Sequence, residues 1–302
     1  MSSLTATEAD ELTRDWQLIA RDNQLPPDGD WLVWMLMAGR GFGKTRSGAE
    51  TVHTWAETYP GCRIALVAST AADARDVMIA GESGLIATRT GTRAATYEPS
   101  KRLVTWPNGS QATAYSAEEP NRLRGPQHHF AWGDELAAWQ YAQETWDQLM
   151  FGLRLGERPR AVVTTTPRPV KLVRDLLRDS TTRITRGSTF DNAANLAPTF
   201  LDAVRKKYEG TRLGRQELYA EILDDTPGAL WQREQIERLR VKVAPELTRV
   251  VVAIDPAVTS GEDSDETGII AAGVGVDGHG YVLDDASIRA TPHAWARRAV
   301  NL

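Results

Sequence analysis

The sequence predicts an α/β fold: a mostly parallel sheet with helices on both faces, followed by a smaller unit of different design. Three observations predict it. Short apolar segments alternate with longer helical stretches through the first two thirds of the chain, as happens when crossover helices join parallel strands. The first of those segments runs into a glycine-rich turn and then a helical pattern. From about residue 248 the alternation stops, and three strands separated by turns lead into a helix start.

In chain order, WLVWMLMA (31–38) reads as a buried strand, and GRGFGKTRSGAETVHTWAETY as a turn entering a helix that Pro60-Gly61 ends. CRIALVAS (62–69) is a second strand, and TAADARDVMIAGES a helix capped by Thr70. TYEPSKRLVTWPNGSQATAYSA reads as a hairpin turning at Pro107-Asn108-Gly109. FAWGD (130–134) and AVVTTT (161–166) are further strands. Residues 187–232 change character: helical pieces PTFLDAVRKKY and GRQELYAEIL are joined by loops and end at Thr226-Pro227-Gly228. Beyond a boundary placed between 228 and 247, TRVVVAID, TGIIAAGVGV and GYVLDDAS are strands, and Thr291-Pro292 starts a helix as N-cap and first helical residue.

No apolar run in the 302 residues approaches the roughly 20 needed to cross a bilayer, and the polar N-terminus lacks the order of a signal peptide. The single cysteine, Cys62, sits in an apolar run and reads as a buried thiol in a reducing compartment. A net charge of −5 argues against a protein that coats nucleic acid with its whole surface. The charge is uneven, however: residues 158–186 carry eight Lys or Arg against Asp175 and Asp179, whereas 255–285 carry eight acids and no Lys or Arg. One region suits phosphates, the other cations.

AGRGFGKT (38–45) fits the phosphate-loop pattern, with Ala38 where glycine is usual. Gly39, Gly41 and Gly43 let backbone N–H groups approach phosphates, Lys44 bridges the terminal phosphates, and the Thr45 hydroxyl ligates Mg²⁺ at a helix N-terminus. Because the pattern lies between a strand and a helix, it predicts a P-loop NTPase sheet. Such a loop needs an acidic strand end beside it, and Asp134-Glu135 follows FAWG: Asp134 for Mg²⁺, Glu135 as the base that polarises the attacking water. Positive charge for the transition state is available from Arg40 in cis, or from Arg122 or Arg124 of NRLRGP (121–126) in trans.

In order, Gln24-Leu25-Pro26, MAGRGFGKTRSGAE, SAEEPNRLRGPQ, AWGDELAAW and VTTTPRP resemble the large terminase subunits of tailed phages and gene-transfer agents. The resemblance covers essentially the whole chain. It implies an ATPase domain over 1–228, with a helical lid or linker subdomain at about 187–228, a linker over 229–247, and from 248 to 302 an incomplete RNase H-like nuclease domain. It makes Gln24 the adenine-reading glutamine, Arg40 the arginine of the loop, and Arg124 the trans-acting finger. Thr164-Thr165-Thr166 becomes the coupling motif whose hydroxyls sense the γ-phosphate. It further implies ATP and Mg²⁺, with Mg²⁺ or Mn²⁺ for the nuclease. The implied partners are double-stranded DNA, a portal protein and a small terminase subunit, with a homo-oligomeric ring acting in the host cytoplasm, docked transiently on the procapsid portal.

VVVAIDP (250–256) is expected to put Asp255 at the end of a buried strand, as first of several carboxylates holding two metals. Asp263 and Asp265 are further candidates, and Asp284 and Asp285 are expected to be solvated. The chain reaches Leu302 in the first helix of that fold, so ATP hydrolysis is expected without efficient DNA cleavage. Two other classes share part of this signature: a helicase-like ATPase, disfavoured because no second RecA-like domain follows residue 230, and a non-catalytic assembly protein ordered by nucleotide.

Overall fold

A computed structural model describes residues 15–89, 91–222, 231, 233–257 and 266–302, and the chain divides into two units, 1–224 and 225–302. Helices of eight residues or more are labelled in chain order; shorter ones are named by their residues.

The first unit is built on one sheet of eight strands. These are β1 (Val33–Ala38), β2 (Arg63–Ala68), β3 (Thr96–Glu98), β4 (Leu103–Thr105), β5 (Gln111–Ser116), β6 (Phe130–Asp134), β7 (Arg160–Thr165) and β8 (Thr182–Gly187). Their spatial order is β3-β4-β5-β2-β6-β7-β1-β8. The six strands from β5 to β8 are parallel, and β3 and β4 add an antiparallel margin.

All six residues of β1, VWMLMA, are buried. That is what a central parallel strand requires, because both of its faces are covered. Its period-2 side chains divide between two cores. Trp34, Leu36 and Ala38 join Phe42, Ile64, Leu66 and Trp132, together with Ala49 and Val52 of α1 (Lys44–Thr58). Val33, Met35 and Met37 join Ala65, Val67 and Leu136. With them are Trp146 and Leu149 of α2 (Ala142–Gly152) and Leu172, Val173 and Leu176 of α3 (Lys171–Arg178). Buried tryptophan N–H groups find acceptors within these layers: Trp34 Nε1 donates to Thr185 Oγ1 and Trp132 Nε1 to Thr164 Oγ1, each at 2.9 Å.

Three elements depart from the sequence expectations. Strand β8 escapes them because TRITRG shows no apolar alternation. It is an edge strand, and its register on β1, Val33↔Thr182 to Ala38↔Gly187, comes from backbone pairing. The helix capped by Thr70 forms its capping box with Asp73, but it widens into a π-turn over Ala74–Ile79 and stops there. The stretch GRQELYAEIL is helical only in its first residues, within Arg212–Glu217, and Ala220 takes a positive φ of 56°. The carbonyls of Glu217 and Leu218 are used elsewhere, accepting from Arg40 N at 2.8 Å and Thr189 N at 2.7 Å, so they do not continue a helix. The other helix expected in this stretch, α4 (Pro198–Tyr208), begins on Pro198 as its sequence suggests.

In the second unit β9 (Leu247–Asp255), β10 (Gly268–Gly275) and β11 (Gly280–Asp285) form an antiparallel sheet in the order β11-β10-β9, followed by α5 (Pro292–Val300) with Thr291 as N-cap. β10 alternates buried with half-buried or exposed residues, and Ile269, Ala286 and Ala299 form its buried core. The expectation of a buried strand at 250–255 fails. β9 is exposed along almost its whole length, since it is the edge of this sheet and among the described residues pairs only with β10. Asp255 is accordingly exposed at the strand end, opposite Gly268. Asp263, Asp265, Thr226, Pro227 and Gly228 lie outside the described residues.

The packing of α1 on the sheet leaves no room at Gly48, where an added Cβ falls 2.3 Å from Cε2 of the fully buried Trp132 indole. Gly48→Ala is expected to lower stability by about 1–3 kcal/mol through overpacking, read as a lower denaturation midpoint with an unchanged slope. An unchanged midpoint would show that the α1–β6 contact is looser than described.

Candidate functional site

Parallel strands deliver their C-terminal ends to one edge of the sheet, and there the predicted site residues converge. β1 ends at Ala38, β6 at Asp134 and β7 at Thr165. In space the three strands are neighbours, in the order β6-β7-β1.

The turn between β1 and α1 depends on glycine at two positions. Gly41 has φ +74° and Gly43 φ +103°, a left-handed region that side chains rarely adopt. At Gly43 a Cβ would also sit 2.6 Å from Nε2 of the buried Gln24, so the predicted base-reading glutamine lies against the loop. Among the described residues, the N–H groups of Gly41, Gly43, Lys44 and Thr45 have no acceptor. Together with the N-terminus of the 15-residue α1 they form a concentration of unused donors suited to an anion.

Lys44 is buried, and its ammonium joins all three strand ends. Nζ donates to the Ala38 carbonyl (2.9 Å), the Gly39 carbonyl (3.3 Å) and Thr166 Oγ1 (3.0 Å), and lies 3.4 Å from Glu135 Oε1. Glu135 is a non-glycine residue at φ +48°, which turns its side chain back over β7. There its carboxylate accepts from Thr166 N at 3.0 Å and Thr166 Oγ1 at 3.4 Å. Thr164 and Thr165 are fixed beside it: Thr164 donates to Asp134 Oδ1, and Thr165 Oγ1 accepts from Ala137 N at 3.1 Å. The three threonines thus touch, in turn, the two acids and the start of the segment that follows them.

Asp134 is buried, and its pKa is raised to about 7. Burial is the main cause, and the neighbouring charge of Glu135 adds to it, against the opposing Thr164 hydrogen bond and Lys44 charge. A carboxyl so placed favours company from a cation. Thr45, the second residue of α1, is half-buried. Among the described residues no group of three or more His, Cys, Asp or Glu stands together as a metal cluster.

The arginines divide. Arg40 is exposed, and its Nε donates to Glu217 Oε2 at 2.7 Å, which together with the pair's charges holds its pKa above the ordinary value. Arg122 is tied to Glu119 at 2.9 Å. Arg124 follows the 3₁₀ turn Pro120–Leu123, is exposed, and makes no side-chain bond with a described residue. Asp255 belongs to the second unit and is exposed.

Several residues around the loop escaped the sequence reading. Thr189 Oγ1 donates to the Arg40 carbonyl (2.7 Å) and Asn192 Nδ2 to the Gly41 carbonyl (2.6 Å). Arg21 donates to the Phe42 carbonyl (2.5 Å) and to Asn192 Oδ1 (2.6 Å), with its guanidinium 4.7 Å from the Phe42 ring centre. Each contact bridges residues far apart in sequence, so no local pattern announces it.

Residues 35–238 match the family described as terminase large subunit, T4likevirus-type, N-terminal. The chain belongs to this family of DNA-packaging motor subunits. No curated protein matches it in sequence. Among solved structures it is similar to the large terminase ATPase domain of Thermus phage P74-26, at 15% identity over 64% of this chain and 89% of that one, with a TM-score of 0.50. It is similar to the large terminase of a thermophilic bacteriophage at 12% identity over 95% and 71% of the two chains, with a TM-score of 0.55. It also resembles the HK97 bacteriophage large terminase, at 15% identity over 93% and 63%, with a TM-score of 0.50. The second of these, the large terminase of the thermophilic bacteriophage, has been solved in complex with ADP and with ATP-gamma-S. At these identities the likeness is one of fold, and the fold is that of terminase ATPase domains.

The raised pKa of Asp134 fixes a sign for this terminase. A carboxyl that binds its proton more tightly when folded contributes stability at low pH, and loses it as pH rises between its unfolded value near 3.8 and about 7. Without nucleotide or divalent cation, unfolding midpoints are expected to fall across that window, and Asp134→Asn to flatten the fall. An identical slope in the variant would assign the carboxyl an ordinary pKa.

Proposed function

We propose that this terminase hydrolyses ATP to move double-stranded DNA into a procapsid, with Glu135 as general base and Lys44 as the residue that engages the terminal phosphates. One observation carries the reading: Lys44, Thr166 and Glu135 form a single hydrogen-bonded unit at the edge of a loop whose N–H groups at 41 and 43–45 are open. The occurrence of ADP and ATP-gamma-S in the thermophilic-phage terminase supports the choice of nucleotide.

Bound ATP takes the four open N–H groups and draws Lys44 from the carbonyls of Ala38 and Gly39 to its β- and γ-phosphates, exchanging neutral acceptors for anionic ones. Gln24, packed on Gly43, meets the adenine. Thr45 and Asp134 are the residues that would hold Mg²⁺, and the buried carboxyl of raised pKa fits that role. Mg²⁺ would neutralise charge on the phosphate oxygens. Glu135 accepts the proton of the water that attacks the γ-phosphate. Arg40 in cis and Arg124 from an adjacent subunit supply positive charge in the transition state. Thr166, bonded to both Lys44 and Glu135, feels the departure of phosphate and passes it along β7 towards α3.

The stretch 158–186, spanning β7, α3 and β8, is the proposed contact with the DNA backbone, and its eight basic residues suit phosphates. A ring of subunits on a portal protein, with a small terminase subunit to select the DNA, completes the reading. Among the described residues no helix is long and apolar enough to cross a membrane. The second unit is proposed as part of an RNase H-like nuclease, with Asp255 as a ligand for Mg²⁺ or Mn²⁺.

Glu135→Gln is expected to lower ATP turnover by about 10²-fold or more with nucleotide binding retained, whereas Lys44→Ala weakens binding itself. Wild-type turnover in Glu135→Gln would reject the residue as base. For DNA, removal of one basic side chain such as Arg178 is expected to flatten the dependence of log affinity on log salt by about one. Salt-independent binding would move the contact elsewhere.

A further inference from the structure

Three side chains from outside the phosphate-loop motif bind three consecutive carbonyls within it. Thr189 Oγ1 donates to the Arg40 carbonyl at 2.7 Å, Asn192 Nδ2 to the Gly41 carbonyl at 2.6 Å, and Arg21 Nη2 to the Phe42 carbonyl at 2.5 Å. The three are themselves fixed. Arg21 Nη1 donates to Asn192 Oδ1 at 2.6 Å, and that same oxygen accepts from Asn195 Nδ2 at 2.9 Å. Thr189 is fully buried and opens the 3₁₀ turn Thr189–Asn195, which Ser188 and Asp191 begin with a capping box.

A peptide unit is planar and trans, so a carbonyl and the N–H of the next residue point in opposite directions. Holding the Arg40 carbonyl outward therefore turns the Gly41 N–H inward, and holding the Phe42 carbonyl outward does the same for the Gly43 N–H. These are two of the four loop N–H groups that have no acceptor among the described residues. The middle carbonyl, of Gly41, belongs to a peptide whose N–H is already used, Phe42 N donating to the Gly39 carbonyl at 3.4 Å. Its bond to Asn192 pins the chain between the two open groups. Glycine at 41 and 43, with φ of +74° and +103°, permits these reversals. Glycine is also the residue with most freedom to abandon them, so the shape needs an outside grip.

We propose that Thr189, Asn192 and Arg21 are positioning residues for the phosphate-binding N–H groups: by holding the loop's carbonyls from outside, they aim its N–H groups at the polyphosphate before nucleotide arrives. This rests on the ATPase reading above. Without the grip, the turn occupies its receptive shape for only a fraction of the time, and apparent affinity drops by that fraction. Bound nucleotide restores the shape, so the loss falls on binding rather than on the chemical step. The effect belongs to the loop and not to the base, hence a bare polyphosphate feels it as much as a nucleotide does.

The test is equilibrium binding of fluorescent ADP to the full chain, displaced by unlabelled ADP and by inorganic pyrophosphate, with steady-state ATP hydrolysis alongside. Thr189→Val keeps the shape of the side chain and removes its hydroxyl. It is expected to weaken ADP and pyrophosphate by the same factor, about fivefold, with the loss in kcat/KM carried by KM. Thr189→Ser, which keeps the hydroxyl, is expected to restore both affinities. Asn192→Ala is expected to act as Thr189→Val does, and the double variant to lose less than the product of the single losses, because both residues grip one turn. Unchanged affinity, a loss for ADP without one for pyrophosphate, a loss confined to kcat, no recovery in Thr189→Ser, or single losses that multiply in full would overturn the proposal. Should Thr189→Val fail to fold by thermal melt, Asn192→Ala, at a half-buried position, decides by the same ADP, pyrophosphate and KM criteria. Absence of ADP binding and of turnover in the wild-type chain would instead sink the ATPase reading itself.

Discussion

The Lys44 ammonium is the point on which the rest of the first unit turns. It reaches the end of β1 through two carbonyls, the end of β7 through Thr166, and the end of β6 through Glu135. Three strands that meet nowhere in sequence are tied by one charge. A buried cation costs free energy unless its protons are satisfied, and here neutral carbonyls and a hydroxyl do most of that, with one carboxylate at longer range. The arrangement is therefore easily exchanged for a better one. A polyphosphate offers the same ammonium full negative charges in place of neutral carbonyls.

The parallel sheet makes that convergence possible, and it was the most legible part of the sequence. β1, β2, β6 and β7 announce themselves as short, mostly apolar segments because both faces of each are buried. The loop was legible for a related reason: glycines at 41 and 43 are demanded by backbone angles that other residues rarely adopt, and Lys44 and Thr45 follow from the chemistry of phosphate. Asp134 and Glu135 could be read as an acidic pair at a strand end. Their different fates could not, because burial at 134 and a left-handed backbone at 135 are properties of the folded environment.

What stayed hidden was held by the backbone or by distant side chains. β8 carries arginines and threonines where an interior strand would carry valines, and only its pairing with β1 makes it a strand. The helix expected from Gly214 stops at Glu217, because the carbonyls of Glu217 and Leu218 serve Arg40 and Thr189. β9 looks like a core strand in sequence yet lies at an edge, so its valines are exposed. Local propensity decides an element only where no tertiary partner offers the backbone something better.

The same contest explains the two-sided character of the phosphate loop. Its outer rim, from Gly39 to Phe42, is bonded to surrounding protein: Gly39 N to the Gly187 carbonyl, Arg40 to Glu217 and Thr189, Gly41 to Asn192, and Phe42 to Arg21. Among the described residues, its inner rim, the N–H groups at 41 and 43 to 45, has no acceptor. A loop free on both sides would lose its shape between ligands, and one paired on both sides would hold none. Because the brace comes chiefly from residues 187–218, the shape of the loop is set by that segment as much as by the motif. A change on one rim therefore bears on the bonds made by the other. Coupling between the two rims needs no separate relay. It is a property of a short turn whose two edges are held by different partners.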